Sequence, residues 1–354
     1  MLRWELAVGT PEPGKDFGEF NKPSFVILLP NGCFCIADSR NHRLQIIPRA
    51  HLDGNGGERV FMWPVPGHGD CPGDEVGCFR CPTGLGLHGK VLFVSDYENG
   101  RVQRLHTTAL SGGGDIPAPE AKMLLKGFQD QLMVEEEEEG PPPWENWPLL
   151  PLNDLKFNSP QGMAIVDSML YLADDGGPGA GSGEGFSRVY AIDLADSCRR
   201  RYVIRASGSR VAGPALRPAA EDPRTFPAHP EDALKCVRGV TAHAGELFVA
   251  DGHADTVHVY SCESGAWLRD VGSGLRQPYG LCVAHGMLYV TEFAGAAVSV
   301  FAVATGACVQ REPLGCSANL DWPPQPWGIA MDATQEAVCV VDHRHHMLHV
   351  FRVG

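Results

Sequence analysis

The chain has 354 residues, 44% of them hydrophobic, and its 43 acidic against 29 basic side chains leave a formal charge of −14. That charge weighs against general affinity for nucleic acid, where phosphate contacts dominate binding, and no apolar run is long enough for a membrane-spanning helix. Twelve cysteines, several of them mid-strand (Cys33, Cys35, Cys282, Cys308, Cys339), and no apolar leader after Met1 are read as reduced thiols in a cytoplasmic protein.

In chain order, residues 2–8 form a strand with no partner beside it. A unit then begins that recurs six times: an apolar strand, a turn, a second apolar strand ending in an acid, a polar loop and a third apolar strand. The first copy runs from Pro23 to Asp38, followed by Ser39-Arg40-Asn41-His42-Arg43 and Leu44-Gln45-Ile46; the second from Pro82 to Asp96, followed by Tyr97-Glu98-Asn99-Gly100-Arg101-Val102. The third carries Pro160 and Asp174, the fourth Asp251 with Val237 in place of the proline, the fifth Pro278 and Glu292, the sixth Pro326 and Asp342. Six and eight residues after the acid come Leu44 and Ile46, Val257 and Val259, Val298 and Val300, Leu348 and Val350, the alternation of a half-buried strand. Copy two has Arg104 at the second of these slots, and copy three takes a Gly-rich insertion from Gly176 before Val189.

Fourth strands are expected over residues 59–63, 201–204, 266–268 and 307–309, with residues 123–125 the candidate in copy two, and Arg199 to Arg201 are assigned to a turn between strands three and four. A repeat of this size filled by four strands predicts stacked blades. The sixth copy ends before a fourth strand, so the strand at 2–8 is expected to complete it and close the ring, which removes both sheet edges. The fold predicted is all-β: one six-bladed β-propeller domain over residues 1–354, a monomer, with an acidic, proline-rich insertion at about 128–156 that contains the five glutamates at 135–139.

The strings DSRNHRLQI and DYENGRVQRL resemble NHL repeats, with Asn41-His42-Arg43-Leu44 and Asn99-Gly100-Arg101-Val102 as the nearest matches to the family triplet. The resemblance covers nearly the whole chain, strongest in copies one and two, and implies a six-bladed propeller similar to that of tripartite-motif NHL proteins, which bind protein or RNA and recruit partners for ubiquitin transfer. It does not by itself imply an activity. Related propellers that are metal-dependent lyases carry a histidine after the blade-opening proline; here those positions are Ser24, Thr83, Gln161, Tyr279 and Trp327. The slots that would supply a lactonase cation site read Gly84, Gly162, Gly280 and Gly328.

A side chain repeated in every blade points to architecture, so Asp38, Asp96, Asp174, Asp251, Glu292 and Asp342 are read as acceptors that fix the turns. Function is sought where the repeat breaks, in the loops after those acids, on the face that also collects the large insertions. Arg40, His42, Tyr97, His253, Phe293 and His343 are the predicted contact residues, mixing aromatic with cationic character. His343, His345 and His346, with His253 and Asp255, form a weaker metal candidate. Cys71, Cys78 and Cys81 with His68 offer a single CxxC and not a paired zinc knuckle. The Gly176–Gly183 run lacks the Gly-Lys-Ser/Thr ending of a phosphate loop. The arginines at 199, 200, 201, 205, 210, 217 and 224 form a basic stretch that could bind a partner. The function expected is a non-catalytic protein-interaction module without a cofactor, with a metal-dependent enzyme or an RNA-binding propeller as the alternative.

Overall fold

A computed structural model describes residues 1–48, 61–63, 72–74, 78–107, 157–175, 187–195, 199–205, 234–315, 322–332 and 336–354. The candidate strand at 123–125, the insertion at 128–156, His68, Cys71 and the glycine run at 176–183 lie outside them.

The chain opens with β1 (Leu2–Gly9). Blade one follows with β2 (Pro23–Leu28), β3 (Phe34–Asp38), β4 (Arg43–Ile47) and β5 (Phe61–Trp63), and blade two with β6 (Pro82–His88), β7 (Val91–Asp96) and β8 (Arg101–His106). Blade three holds β9 (Pro160–Val166), β10 (Met169–Asp174), β11 (Arg188–Asp193) and β12 (Arg199–Arg205). Blade four holds β13 (Val237–His243), β14 (Glu246–Asp251), β15 (Thr256–Ser261) and β16 (Trp267–Val271). Blade five holds β17 (Pro278–Ala284), β18 (Met287–Glu292), β19 (Ala297–Ala302) and β20 (Cys308–Pro313); blade six holds β21 (Pro326–Asp332), β22 (Ala337–Asp342) and β23 (Met347–Val353). The first strands touch in the order β2, β6, β9, β13, β17, β21 and back to β2, so six antiparallel sheets stand in a ring. Arg199 to Arg201 are not in a turn: they open β12, where Arg199 and Arg200 pair with Asp193 and Ile192.

Closure follows the expectation from the two ends of the chain. β1 is the outermost strand of blade six, antiparallel to β23 from Leu2 opposite Val353 to Gly9 opposite Met347. Gln310 on blade five fastens it from the side, donating to the Leu2 carbonyl at 3.0 Å and accepting the Leu2 N–H at 2.7 Å.

The apolar core is divided among six seams, not gathered in one centre. Leu44, Phe79 and Leu92 fill the seam between blades one and two, Phe248, Leu275 and Leu288 that between four and five, and Leu2 of β1 joins Val298, Ile329 and Val338 between five and six. This arrangement explains the sequence pattern of the second strands. They are apolar at nearly every position because each face of the sheet meets a neighbouring blade, whereas outer strands such as β20 alternate with solvent.

At the axis the first strands come too close for side chains. A Cβ on Gly84 would lie 1.9 Å from the Gln161 carbonyl oxygen, one on Gly239 2.1 Å from that of Tyr279, and one on Gly280 2.2 Å from that of Trp327. Gly162 and Gly328 hold the same place in blades three and six, and blade one alone has a side chain there, Phe25. Phe25 is buried, with its backbone against Gly328 and the tip of its ring against Gly162 across the axis, so it plugs the channel at this level.

Candidate ligand face at the mouth of the ring

The acid that ends each second strand has the same task six times. Asp38 accepts the N–H of Asn21 at 2.7 Å, Asp96 that of Arg80 at 2.7 Å and Asp174 that of Ser159 at 2.7 Å. Asp251 accepts from Cys236 at 3.0 Å, Glu292 from Arg276 at 3.0 Å and Asp342 from Gln325 at 2.9 Å. Each donor lies one or two residues before a first strand, so the carboxylate ties the two ends of that hairpin together on the loop face. The other partners differ from blade to blade. Asn41, Arg43 and Gln45 donate to Asp38, and Asn99, Arg101 and Gln103 repeat the set on Asp96. Glu292 takes Ser299 and Arg311, and Asp342 takes His345 at 2.7 Å. Burial would raise the Asp342 carboxyl, but His349, with its Nε2 3.6 Å away, the hydrogen bond from the Gln325 N–H and the charge of His345 hold it well below the usual carboxylate range.

Four residues past the acid, three loops place a side-chain acceptor across a seam. His42 Nδ1 accepts the Cys81 N–H at 3.0 Å, Asp255 Oδ1 accepts the Gln277 N–H at 2.8 Å, and His346 Nδ1 accepts the Lys22 N–H at 2.8 Å. All three acceptors and all three donors have φ between 51° and 56°. A ring nitrogen that accepts an N–H is unprotonated, and burial lowers the pKa of both His42 and His346. Asn41 and His42, the residues that carried the family resemblance, thus fix a carboxylate and latch two blades.

Of the predicted contact residues, Arg40 is exposed and pairs with Glu98 at 3.5 Å, His42 is the latch just described, and His253 is exposed on the blade-four loop. Tyr97, Phe293 and His343 turn toward the mouth of the ring, where residues that sequence reasoning did not assign to a site meet them. The residue after each blade opening, Ser24, Thr83, Gln161, Arg238, Tyr279 or Trp327, rims this mouth. Ser24 and Thr83 spend their hydroxyls on the carbonyl oxygens of Pro82 and Pro160 in the next blade. Arg238 pairs with Asp175 at 2.9 Å and lies 5.3 Å from the Tyr279 ring centroid and 5.8 Å from that of Trp327. Although burial opposes its charge, the Asp175 carboxylate beside it keeps Arg238 protonated. Phe293 stacks on Tyr279 at 4.5 Å, Tyr279 and Trp327 meet edge to face at 4.9 Å, and His343 leans on Trp327 at 4.5 Å. His343 Nδ1 lies 3.2 Å from the Pro23 carbonyl oxygen, to which it donates, and burial pushes its pKa down to about 4.

The three histidines of the metal candidate go to three different partners: His343 to Pro23, His345 to Asp342, His346 to Lys22. No group of three or more His, Cys, Asp or Glu is placed to hold a metal ion among the described residues. Cys81 of the CxxC is buried at the opening of blade two, where burial pushes its thiol up to about 11. No disulfide forms among the described residues, and no helix among them is long and apolar enough to cross a membrane.

Six four-stranded or three-stranded antiparallel sheets in a ring, with the acid clasps on one face, define a six-bladed β-propeller. The family model for the NHL repeat matches residues 20–47, which span β2 to β4 and the Asp38 clasp, so the first blade of this propeller carries an NHL repeat. Among solved structures, a gluconolactonase from Xanthomonas campestris is similar over 96% of this chain and 88% of its own, at 12% identity and a TM-score of 0.56. A streptogramin B lyase is similar over 95% and 94%, at 10% identity and 0.53, and a chain of the nidogen/laminin complex over 87% and 84%, at 12% and 0.50. At such identities the likeness is one of fold. No curated protein matches the chain in sequence.

Proposed function

We propose that this propeller is a non-catalytic recognition module that binds a protein partner on the loop face, centred on the mouth of the ring. One observation carries the reading. Among the described residues five buried side-chain nitrogen or oxygen atoms lack a hydrogen-bond partner, and three of them, Gln161 Oε1, Arg238 Nε and Trp327 Nε1, belong to the six residues that rim the mouth. Buried polar atoms without partners are costly, on the order of 1–3 kcal/mol each, and their concentration at one place marks a surface shaped for contact.

The chemistry at that place favours binding over catalysis. A guanidinium at the centre repels a divalent cation, and the neighbouring groups that could act as bases are committed elsewhere: Asp175 to Arg238, His343 to Pro23. The chain's net charge of −14 favours a protein over RNA as the partner. The aromatic group of Tyr279, Phe293 and Trp327 supplies the rigid apolar anchors on which protein contacts concentrate their energy. A monomeric cytoplasmic protein that serves a ubiquitin-ligase-type complex is the setting this reading adopts.

The test is affinity capture with an untagged-surface control. A partner held by the wild type and lost with Tyr97→Ala and Phe293→Ala, but kept with Arg269→Ala, supports the reading. Stoichiometric metal in protein purified without a histidine tag, removed by His345→Ala, overturns it.

A further inference from the structure

The mouth has a charge balance of its own. Arg238 is matched by Asp175 at 2.9 Å. His343 is held neutral, with its pKa pushed down to about 4, and the Cys236 thiol and the Tyr279 phenol are held protonated by burial. An anion or a cation entering here would shed its water without gaining a free counter-charge, which is strongly unfavourable. A neutral group meets no such obstacle.

The unused hydrogen-bonding atoms are of both kinds. Gln161 is 1% exposed and its Oε1 accepts nothing within the protein, while Arg238 Nε and Trp327 Nε1 are buried donors with no acceptor. These three residues hold the same slot on β9, β13 and β21, and the inner strands of blades three to six touch in sequence. Beside them, Tyr279, Phe293 and Trp327 form a wall of rings with centroids 4.5 to 5.6 Å apart. Two donors, one acceptor and a cluster of rings, two stacked and the third edge-on to both, are the complement of one small planar group whose carbonyl accepts and whose N–H donates.

We propose that the mouth is a carboxamide pocket: a neutral primary amide, presented by a Gln or Asn side chain of the protein partner, lies on the aromatic wall. Its oxygen takes the N–H groups of Arg238 Nε and Trp327 Nε1, and its nitrogen donates to Gln161 Oε1. The pocket rests on the recognition reading above and adds the chemistry of the group recognised.

Benzamide, benzoate and benzamidinium share a shape and differ in charge, and Gly-Gln-Gly, Gly-Glu-Gly and Gly-Lys-Gly, each capped at both ends, do the same for a peptide. Binding is read by protein-observed NMR titration. Benzamide and the Gln peptide are expected to bind at least tenfold tighter than their charged counterparts, and the peptide to outbind benzamide if the source is a protein side chain. Gln161→Met and Trp327→Phe keep chain length or ring and remove one hydrogen-bonding atom each; both should weaken benzamide at least fivefold with unfolding midpoints near that of the wild type. Gln161→Glu adds a charge at the acceptor and should turn the preference toward benzamidinium. Equal binding of all three charge types, binding of none, or full affinity in both Gln161→Met and Trp327→Phe overturns the pocket. Should benzamide bind as stated while partner capture ignores Tyr97 and Phe293, the pocket stands and the protein-partner reading falls. Should capture depend on those residues while no amide binds, the face stands and the pocket falls.

Discussion

His42 and His346 flank blade one, each accepting a backbone N–H from the next blade at Nδ1, at 3.0 and 2.8 Å. Protonation turns the accepting nitrogen into a donor aimed at another donor. The groups facing His42 are Glu98 and Asp38, which favour its charge, and Arg40 and Arg80, which oppose it; for His346 they are Asp342 and Glu12 against Lys22 and His345. Burial is the largest influence on both and lowers both pKa values in the folded protein. The unfolded chain therefore holds more protons than the folded one below the ordinary histidine pKa of about 6.5, and the stability from these latches is full above that pH and lost as pH falls through the folded values. Each latch is worth about 1 kcal/mol as a hydrogen bond and up to about 3 kcal/mol if its N–H is left unmet, so two separate seams together give on the order of 2–6 kcal/mol. His343, with its pKa near 4, adds about 2 kcal/mol of loss in the same direction by pH 5. His258 runs the other way: the Asp251 carboxylate 3.7 Å from its Nε2 and its hydrogen bond to Asp270 outweigh burial and raise its pKa, so its contribution is present at low pH and lost as pH rises through that value. The informative variant is His42→Asn with His346→Asn. Asn Oδ1 occupies the place of His Nδ1, Asp255 already makes this latch with Oδ1, and asparagine tolerates positive φ. Urea unfolding at pH 7.5 and pH 5.0 should show the double variant close to wild type at the higher pH and more stable than wild type at the lower. A double variant that loses as much stability as wild type between the two would refute the latch argument.

Deleting residues 1–9 removes β1 with its buried Leu2 and should lower the unfolding midpoint sharply by reopening the ring; unchanged stability would disprove the closure. Gln310→Ala loses both hydrogen bonds to Leu2, about 1–3 kcal/mol, and should speed hydrogen exchange of the β1 amides while the amides of β13 to β15 keep their protection. Gly280→Ala forces a Cβ to within 2.2 Å of a backbone oxygen and should cost about 3 kcal/mol or more in chemical denaturation, where Gly286→Ala, in an open turn at φ 72°, should cost about 1 kcal/mol.

The repeat was legible because the constraint that made it is local and recurrent. An acid that must meet the N–H groups ahead of its own hairpin cannot drift in register, so six acids announce six hairpins. Closure could be read from the ends because a missing fourth strand and a spare strand are the same length of chain. The central slots were visible as positions: Ser24, Thr83, Gln161, Tyr279 and Trp327 were picked out, but only as places where metal-binding histidines are missing. Arg238 escaped because blade four opens on Val237, and without a proline its slot had no marker. Aligning Val237 with the prolines would have supplied it. The latch role of the loop histidines is hidden for a different reason. His42 and His346 look exposed in a polar string, and their bond runs to a residue in the next blade, which no pattern along the chain displays. The glycines read as absent side chains; the structure gives them a positive reason, the carbonyl of the neighbouring blade.

Phe25 stands where five other blades have glycine, and it fills the axis from blade one to blade three. The disc is consequently a partition and not a conduit. At that level the Phe25 ring lies across the axis between the loop face and the hairpin-turn face. A second partner that docked on the turns would find its affinity indifferent to the first, the two free energies adding without a coupling contribution, unless the ring itself changes shape. Replacing Phe25 with glycine would make all six blades alike at the axis and join the two sides of the molecule.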